Sequence, residues 1–167
     1  MITPDWVRMM ARYNAWQNES VIQAANSLGD DARRADRGSF FGSIHGTLSH
    51  LLWGDTIWMS RFASVEKPEG GIAESPGHVE KWLELCMRRS LLDAAILEWG
   101  VSLRQSELNG MLRWYSGAAG RDVERPMALC VTHFFNHQTH HRGQVHAMLT
   151  AAGAKPGDTD LFLMPTD

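Results

Sequence analysis

The sequence is poor in the features that mark exported, membrane-spanning or nucleic-acid-binding chains. Its 167 residues hold two cysteines, Cys86 and Cys130, too few for a disulfide framework and not spaced as a CxxC pair. They read as two buried free thiols in a reducing compartment. The longest apolar runs are a few residues, so no segment is expected to span a bilayer. The opening stretch MITPDWVRMMARYN carries charge where an export signal needs apolar residues, and a cytoplasmic location is the reading. No basic stripe stands out, and 16 Lys plus Arg against 19 Asp plus Glu leave a formal charge of -3. Phosphate-backbone binding depends on clustered cations that release counterions, so nucleic acid is not an expected partner. Internal repeats and low-complexity segments are also missing. The length is that of one domain, residues 1–167, with enough chain to bury a core.

Histidine and tryptophan are abundant instead. Five of the eight histidines fall between His133 and His146, and there are seven tryptophans. Helical periodicity organises most of the chain around them. Thr3-Pro4-Asp5 is a helix start with a hydroxyl cap, proline in the first turn and an acid beside it. Trp6, Met9, Met10, Tyr13, Trp16, Val21 and Ala24 follow at helical spacing until Gly29, and Asp30 to Arg37 reads as a polar connection. A second helix is predicted from Gly42 to Phe62, with Ile44, Leu48, Leu51, Leu52, Ile57 and Trp58 inward. Glu66 to Gly77 is a Gly- and Pro-rich loop, and Ser75-Pro76 reads as the start of a long helix over about His78 to Leu103. From Ser106 to Arg125 the period fails, and Met111–Tyr115, Gly117-Ala118-Ala119-Gly120 and a polar stretch predict a small β-hairpin. Pro126 opens a last helix to about Ala152, ended by Gly153. Four long helices with little strand predict an all-α four-helix bundle. Each tryptophan reads first as core; Trp53 and Trp58, which share a helix with His50, are the ones for which a pocket wall is the alternative.

The last helix contains Asn136-His137-Gln138-Thr139-His140-His141-Arg142-Gly143-Gln144. At about 100° per residue, His137 and His141 stand about 40° apart on one face, one turn above the other. That spacing lets two imidazoles grip one cation, and zinc, nickel, copper and ferrous iron all accept imidazole nitrogen. A third ligand has to come from another helix. His50, inside Leu48-Ser49-His50-Leu51-Leu52-Trp53, is the candidate, since a histidine among leucines is either a hydrogen-bonded core residue or a ligand. Three imidazoles would leave coordination positions open, the pattern of a catalytic site. His133 and His140 are candidates for the pocket or for supporting the ligands. His45, His78 and His146 read as surface or packing residues. The competing reading of the cluster is a solvated helix face, or a metal-free interior of hydrogen-bonded histidines, because HxxxH also arises by chance.

The Asn136–Gln144 run, with Tyr13-Asn14-Ala15-Trp16 in the first helix and Leu48-Ser49-His50, Gly54-Asp55 and Trp58 in the second, resembles the DinB-like family over nearly the whole chain. The resemblance implies up-down-down-up topology, a homodimer, and a metal site of zinc or nickel at His50, His137 and His141. Related members include isomerases and S-transferases that use a low-molecular-weight thiol such as mycothiol or bacillithiol. The leading functional reading is therefore a metal-dependent enzyme that activates a thiol cosubstrate for transfer to a small electrophile. In that scheme Arg142 or Arg61 is a candidate for holding a cosubstrate carboxylate. Two alternatives stand beside it: a metal-dependent hydrolase, with Asp55 or Glu19 as the nearest general-base candidates, and a stress-response protein that binds metal without turnover.

Overall fold

The computed structural model of the chain describes residues 1–117 and 119–166. Helix α1 spans Pro4–Asn26, α2 Asp30–Arg34, α3 Ile44–Phe62, α4 Trp82–Ser102, α5 Gln105–Leu108 and α6 Met127–Ala151; strands β1 (Met111–Ser116) and β2 (Arg121–Pro126) lie between α5 and α6. The helix starts follow local chemistry. The Thr3 hydroxyl accepts from the Trp6 amide at 3.2 Å, and the Ser43 hydroxyl accepts from the Gly46 amide at 3.0 Å, each satisfying an otherwise orphaned donor. At the far end Gly153 takes φ +83° and turns the chain out of α6, a conformation that glycine adopts without a Cβ clash.

The four long helices form an up-down-down-up bundle. Helix α1 packs on α4 and α6, and α3 packs on the same two. Ring contacts set the directions. Trp82, opening α4, donates from its indole nitrogen to Asn26 Oδ1 at the end of α1 and meets His45 at the start of α3. Trp6, early in α1, lies edge-on to Phe135 early in α6, while Phe62 at the end of α3 meets Phe134. Val7, Leu48, Leu85, Ile96, Phe134 and Leu149 are among the buried residues between the helices. No helix among the described residues is long and apolar enough to cross a membrane.

The predicted hairpin is present and antiparallel, with Met111 opposite Pro126 and Trp114 opposite Val123; the expected turn residue Ala118 lies outside the described residues. Three local expectations are corrected. The polar connection after Gly29 contains the short helix α2, whose Asp30 carboxylate pairs with Arg34 at 2.7 Å. The helix expected from His78 begins at Trp82, and Ser75-Pro76 opens only a single 3₁₀ turn over Ser75–Gly77. The cause is tertiary: the Val79 amide donates to the Ser49 hydroxyl at 3.1 Å and its carbonyl meets His45 Nε2 at 2.8 Å, so the link is tied to α3. Finally, Cys130 is buried but Cys86 is only half-buried. Burial raises both thiols above their ordinary range, which leaves neither as a ready nucleophile.

Candidate metal centre

Helices α3 and α6 run antiparallel, which sets His50 opposite His141 and Gly54 opposite His137. One ligand atom from each of His50, His137 and His141 lies within 4.8 Å of the other two. The ring centroids are 4.7 Å apart for His50 and His141, 5.4 Å for His50 and His137 and 4.4 Å for His137 and His141. His137 reaches in because the facing residue is glycine: a Cβ on Gly54 would stand 3.1 Å from His137 Cε1. Phe41 closes one side, stacked on His50 with 3.7 Å between centroids.

The hydrogen bonds fix which nitrogens point inward. Ser75 Oγ gives its only proton to the Ile72 carbonyl at 2.6 Å, so its 2.7 Å contact with His50 Nδ1 is accepted from the ring. That puts the proton of neutral His50 on Nδ1 and leaves Nε2 with a lone pair. Gln144 does the same for His141: its Oε1 accepts from His141 Nδ1 at 2.9 Å, while its amide nitrogen lies 3.3 Å from His140 Nε2. His141 Nε2 and His137 Nε2 then face each other at 3.1 Å. Bonds of about 2.0–2.1 Å to one tetrahedral ion hold two imidazole nitrogens about 3.3 Å apart, so this donor set fits a late-transition ion. Burial, with the His141 ring beside it, lowers His50 to about 4. Burial and the neighbouring imidazoles, His141 first, lower His137 to about 3. Burial also lowers His141, against the opposing bond from Gln144. All three are thus neutral and able to donate lone pairs at neutral pH.

These shifts predict the acid response of the metal-free protein. The unfolded chain protonates its histidines near 6.5, whereas folded His50 and His137 stay neutral down to about 4 and about 3. Unfolding therefore takes up protons, and stability falls as pH falls below 6.5. Asp55, which burial raises from 3.8 to about 6, acts in the opposite sense between those two values. His45, His78, His133 and His141 are lowered as well, so the histidines outweigh Asp55 and the net effect is proton uptake on unfolding, with stability falling as pH falls. Urea unfolding of the metal-free protein at pH 6.5, 5.5 and 4.5 reads this slope; a flat profile would contradict the buried, neutral imidazoles.

A cleft of about 680 Å³ opens beside His50 and His137. Trp53 and Trp58 line it, the alternative rather than the core reading of these two residues, together with Arg61, Lys67, Tyr115 and His133. His133 lies at its exposed edge, 5.8 Å from the His137 ring and 5.1 Å from Trp58 between centroids. His140 packs on the outer side of His141 at 4.9 Å and faces away from the cleft.

Directly behind the histidines lies a buried ionic network that touches all four long helices. Arg89 of α4 donates to Asp55 of α3 at 2.6 Å and pairs with Asp93 at 2.8 Å. Asn14 and Asn18 of α1 donate to Asp93 at 3.0 and 2.9 Å, and Arg142 of α6 donates to the side-chain oxygens of both asparagines. Two carboxylates and two guanidiniums balance. This corrects two sequence-based candidates: Arg142 is 5% exposed and Asp55 0% exposed, so neither reaches a cosubstrate. Glu19 is exposed on α1 beside Trp16 and Gln23, away from the histidines. Sequence reading missed Ser75 and Phe41, which come from loops, and the network role of Asn14 and Arg89. Gln144, one turn after His141 on the same face, was within reach of the helical period.

Residues 1–166 match the model of the DinB family. The chain belongs to the DinB family. It is 26% identical over 171 residues to Protein DinB of Bacillus subtilis (strain 168), covering 97% of this chain and 96% of that one. The crystal structure of a DinB-like protein from Bacillus cereus ATCC 10987 superposes with a TM-score of 0.62 at 18% identity, covering 86% of this chain and 90% of that chain. At that identity the likeness concerns the DinB fold.

Proposed function

We propose that His50, His137 and His141 hold a divalent zinc or nickel ion and that the protein is a metal-dependent enzyme transferring a low-molecular-weight thiol to a small electrophile. The observation that carries this reading is the convergence of three neutral imidazoles at the edge of a cleft. Among the described residues no carboxylate joins the cluster. An ion with an open coordination position lowers the pKa of a bound thiol or water, so that a nucleophile exists near neutral pH.

The residues around it do the remaining work. Ser75 and Gln144 hold the His50 and His141 rings in the tautomers that aim Nε2 inward, the kind of support on which metal affinity depends. A ring nitrogen of His133, which partial burial and the Arg61 charge keep below its ordinary pKa, accepts the proton of the incoming thiol at the cleft edge. Trp53 and Trp58 keep water from the electrophile. The thiol reading is preferred to hydrolysis because among the described residues no carboxylate lines the cleft, and Asp55 is locked to Arg89. The reading retains the homodimer that the resemblance implies, which light scattering tests as twice the chain mass, and a cytoplasmic setting in which low-molecular-weight thiols are reduced.

Cobalt(II)-loaded protein tests the thiol. It is expected to gain a near-ultraviolet absorption band with 2-mercaptoethanol and none with ethylene glycol. Stoichiometric cobalt with no response to the thiol would overturn thiol activation and leave a hydrolase or a non-catalytic metal protein.

A further inference from the structure

The cleft beside the histidines is cationic in a chain whose formal charge is -3. Among the described residues its charged lining side chains are Arg61 and Lys67; Lys67 has Glu66 and Glu69 near it on its other side, so Arg61 is the principal unbalanced charge. Arg61 sits in the last turn of α3. Its guanidinium carbon lies 4.5 Å from the Trp58 ring centroid and 5.3 Å from that of Trp114, and those two rings meet at 5.6 Å. The hairpin thus presses one tryptophan onto the arginine from β1 while α3 supplies the other. Among the described residues Arg61 has no carboxylate partner, although it is half-buried and burial lowers it from its usual range. A guanidinium withdrawn from water, held rigid between aromatic faces and left without a counter-ion has its fork of donors ready for a planar oxyanion.

The distances set the shape of the ligand. Gly54, which faces His137, precedes Arg61 by seven residues, roughly 10 Å along the helix axis. Trp58 lies between them on the same side and offers an apolar surface. We propose that the cleft takes an elongated anionic small molecule, with its carboxylate or phosphate held by Arg61 and assisted by Lys67. Its apolar middle rests on Trp58 and its reactive end faces His50 and His137. This names the substrate class for the metal-dependent reading and rests on it for the chemistry, but the anchoring itself is independent of the metal.

Octanoate and octanol, equal in length and different in charge, are the probes, and tryptophan fluorescence of the metal-free protein is the readout, with Trp58 and Trp114 flanking the anchor. Charge-assisted hydrogen bonds of this kind are expected to give octanoate at least a roughly tenfold advantage over octanol. Arg61→Gln is expected to abolish that preference while leaving octanol binding unchanged. Arg61→Lys keeps the charge and retains part of it, and Lys67→Gln, at the exposed mouth, costs about twofold. Equal binding of acid and alcohol, including no measurable binding of either, overturns the anchor, as does a preference that survives Arg61→Gln. Metal content of the same samples separates the two ideas. Retained metal without anion preference sinks the anchor alone, and anion preference without metal sinks the metal reading while supporting the anchor.

Discussion

Replacing Arg89 by methionine is expected to destabilise the protein by about 3–5 kcal/mol, the usual loss when one partner of a buried ion pair is removed. Arg89 is 2% exposed and is the counter-ion of both Asp55 and Asp93. Methionine keeps the unbranched stem out to about the position of Nε and lacks only the guanidinium, so most of the loss measures two carboxylates left in a dry interior. Urea unfolding at pH 7 checks it. Adding Asp55→Asn to the methionine variant should recover part of the loss, because the amide needs no counter-ion. The same change in the wild type should destabilise, since it strands the Arg89 charge. That reversal of sign is a coupling signature that independent sites do not produce. A loss below about 1 kcal/mol for Arg89→Met would mean that the network is hydrated and stabilises little.

His137→Ala is expected to remove the bound ion, from one per chain to none retained after dialysis, and with it the stability that the metal adds to the wild type. A ligand bound only by the native state stabilises it by RT ln(1 + [L]/Kd), about 4 kcal/mol at a thousandfold excess over Kd. The metal-free comparison separates a ligand from a core histidine. In the absence of metal, His137 Nδ1 is buried without a hydrogen-bond partner, and its Nε2 faces another imidazole nitrogen at 3.1 Å. The one bond the ring can make, from His137 Nε2 to the His141 Nε2 lone pair, is offset by the stranded Nδ1, so alanine should change the stability of the metal-free protein by less than about 1 kcal/mol. A core histidine with satisfied hydrogen bonds would instead cost about 1–3 kcal/mol on removal, with or without metal. Thermal unfolding of both proteins with zinc and with a chelator, beside elemental analysis, distinguishes these results. Wild-type protein that retains no zinc or nickel would end the metal reading.

How much of this was legible in the residues follows from the range of the forces involved. Helical period, the Thr3 cap and Gly153 placed the long helices to within a few residues, because a helix is made from contacts three and four positions apart. The same local rule set His137 above His141. Where prediction failed, a distant partner had intervened: Ser75-Pro76 looks like a helix start, but Ser75 is drawn to His50 and the link behind it to Ser49 and His45. Arg142 is the clearest case. Beside two histidines it reads as a cationic surface group, yet it turns inward to Asn14 and Asn18, more than a hundred residues earlier.

By itself, then, the sequence determined an all-helical bundle, the approximate limits of its four main helices, a short hairpin, and a pair of histidines on one helix face with His50 as their candidate third. Each of these depends on neighbours along the chain or on the alternation of apolar and polar positions. Only the tertiary structure decided that His50 meets the pair, which tautomers His50 and His141 take, and that Arg61 rather than Arg142 lines the cleft. Those outcomes depend on how helices from opposite ends of the chain pack, and side-chain charge and burial are set by that packing, which no local pattern encodes.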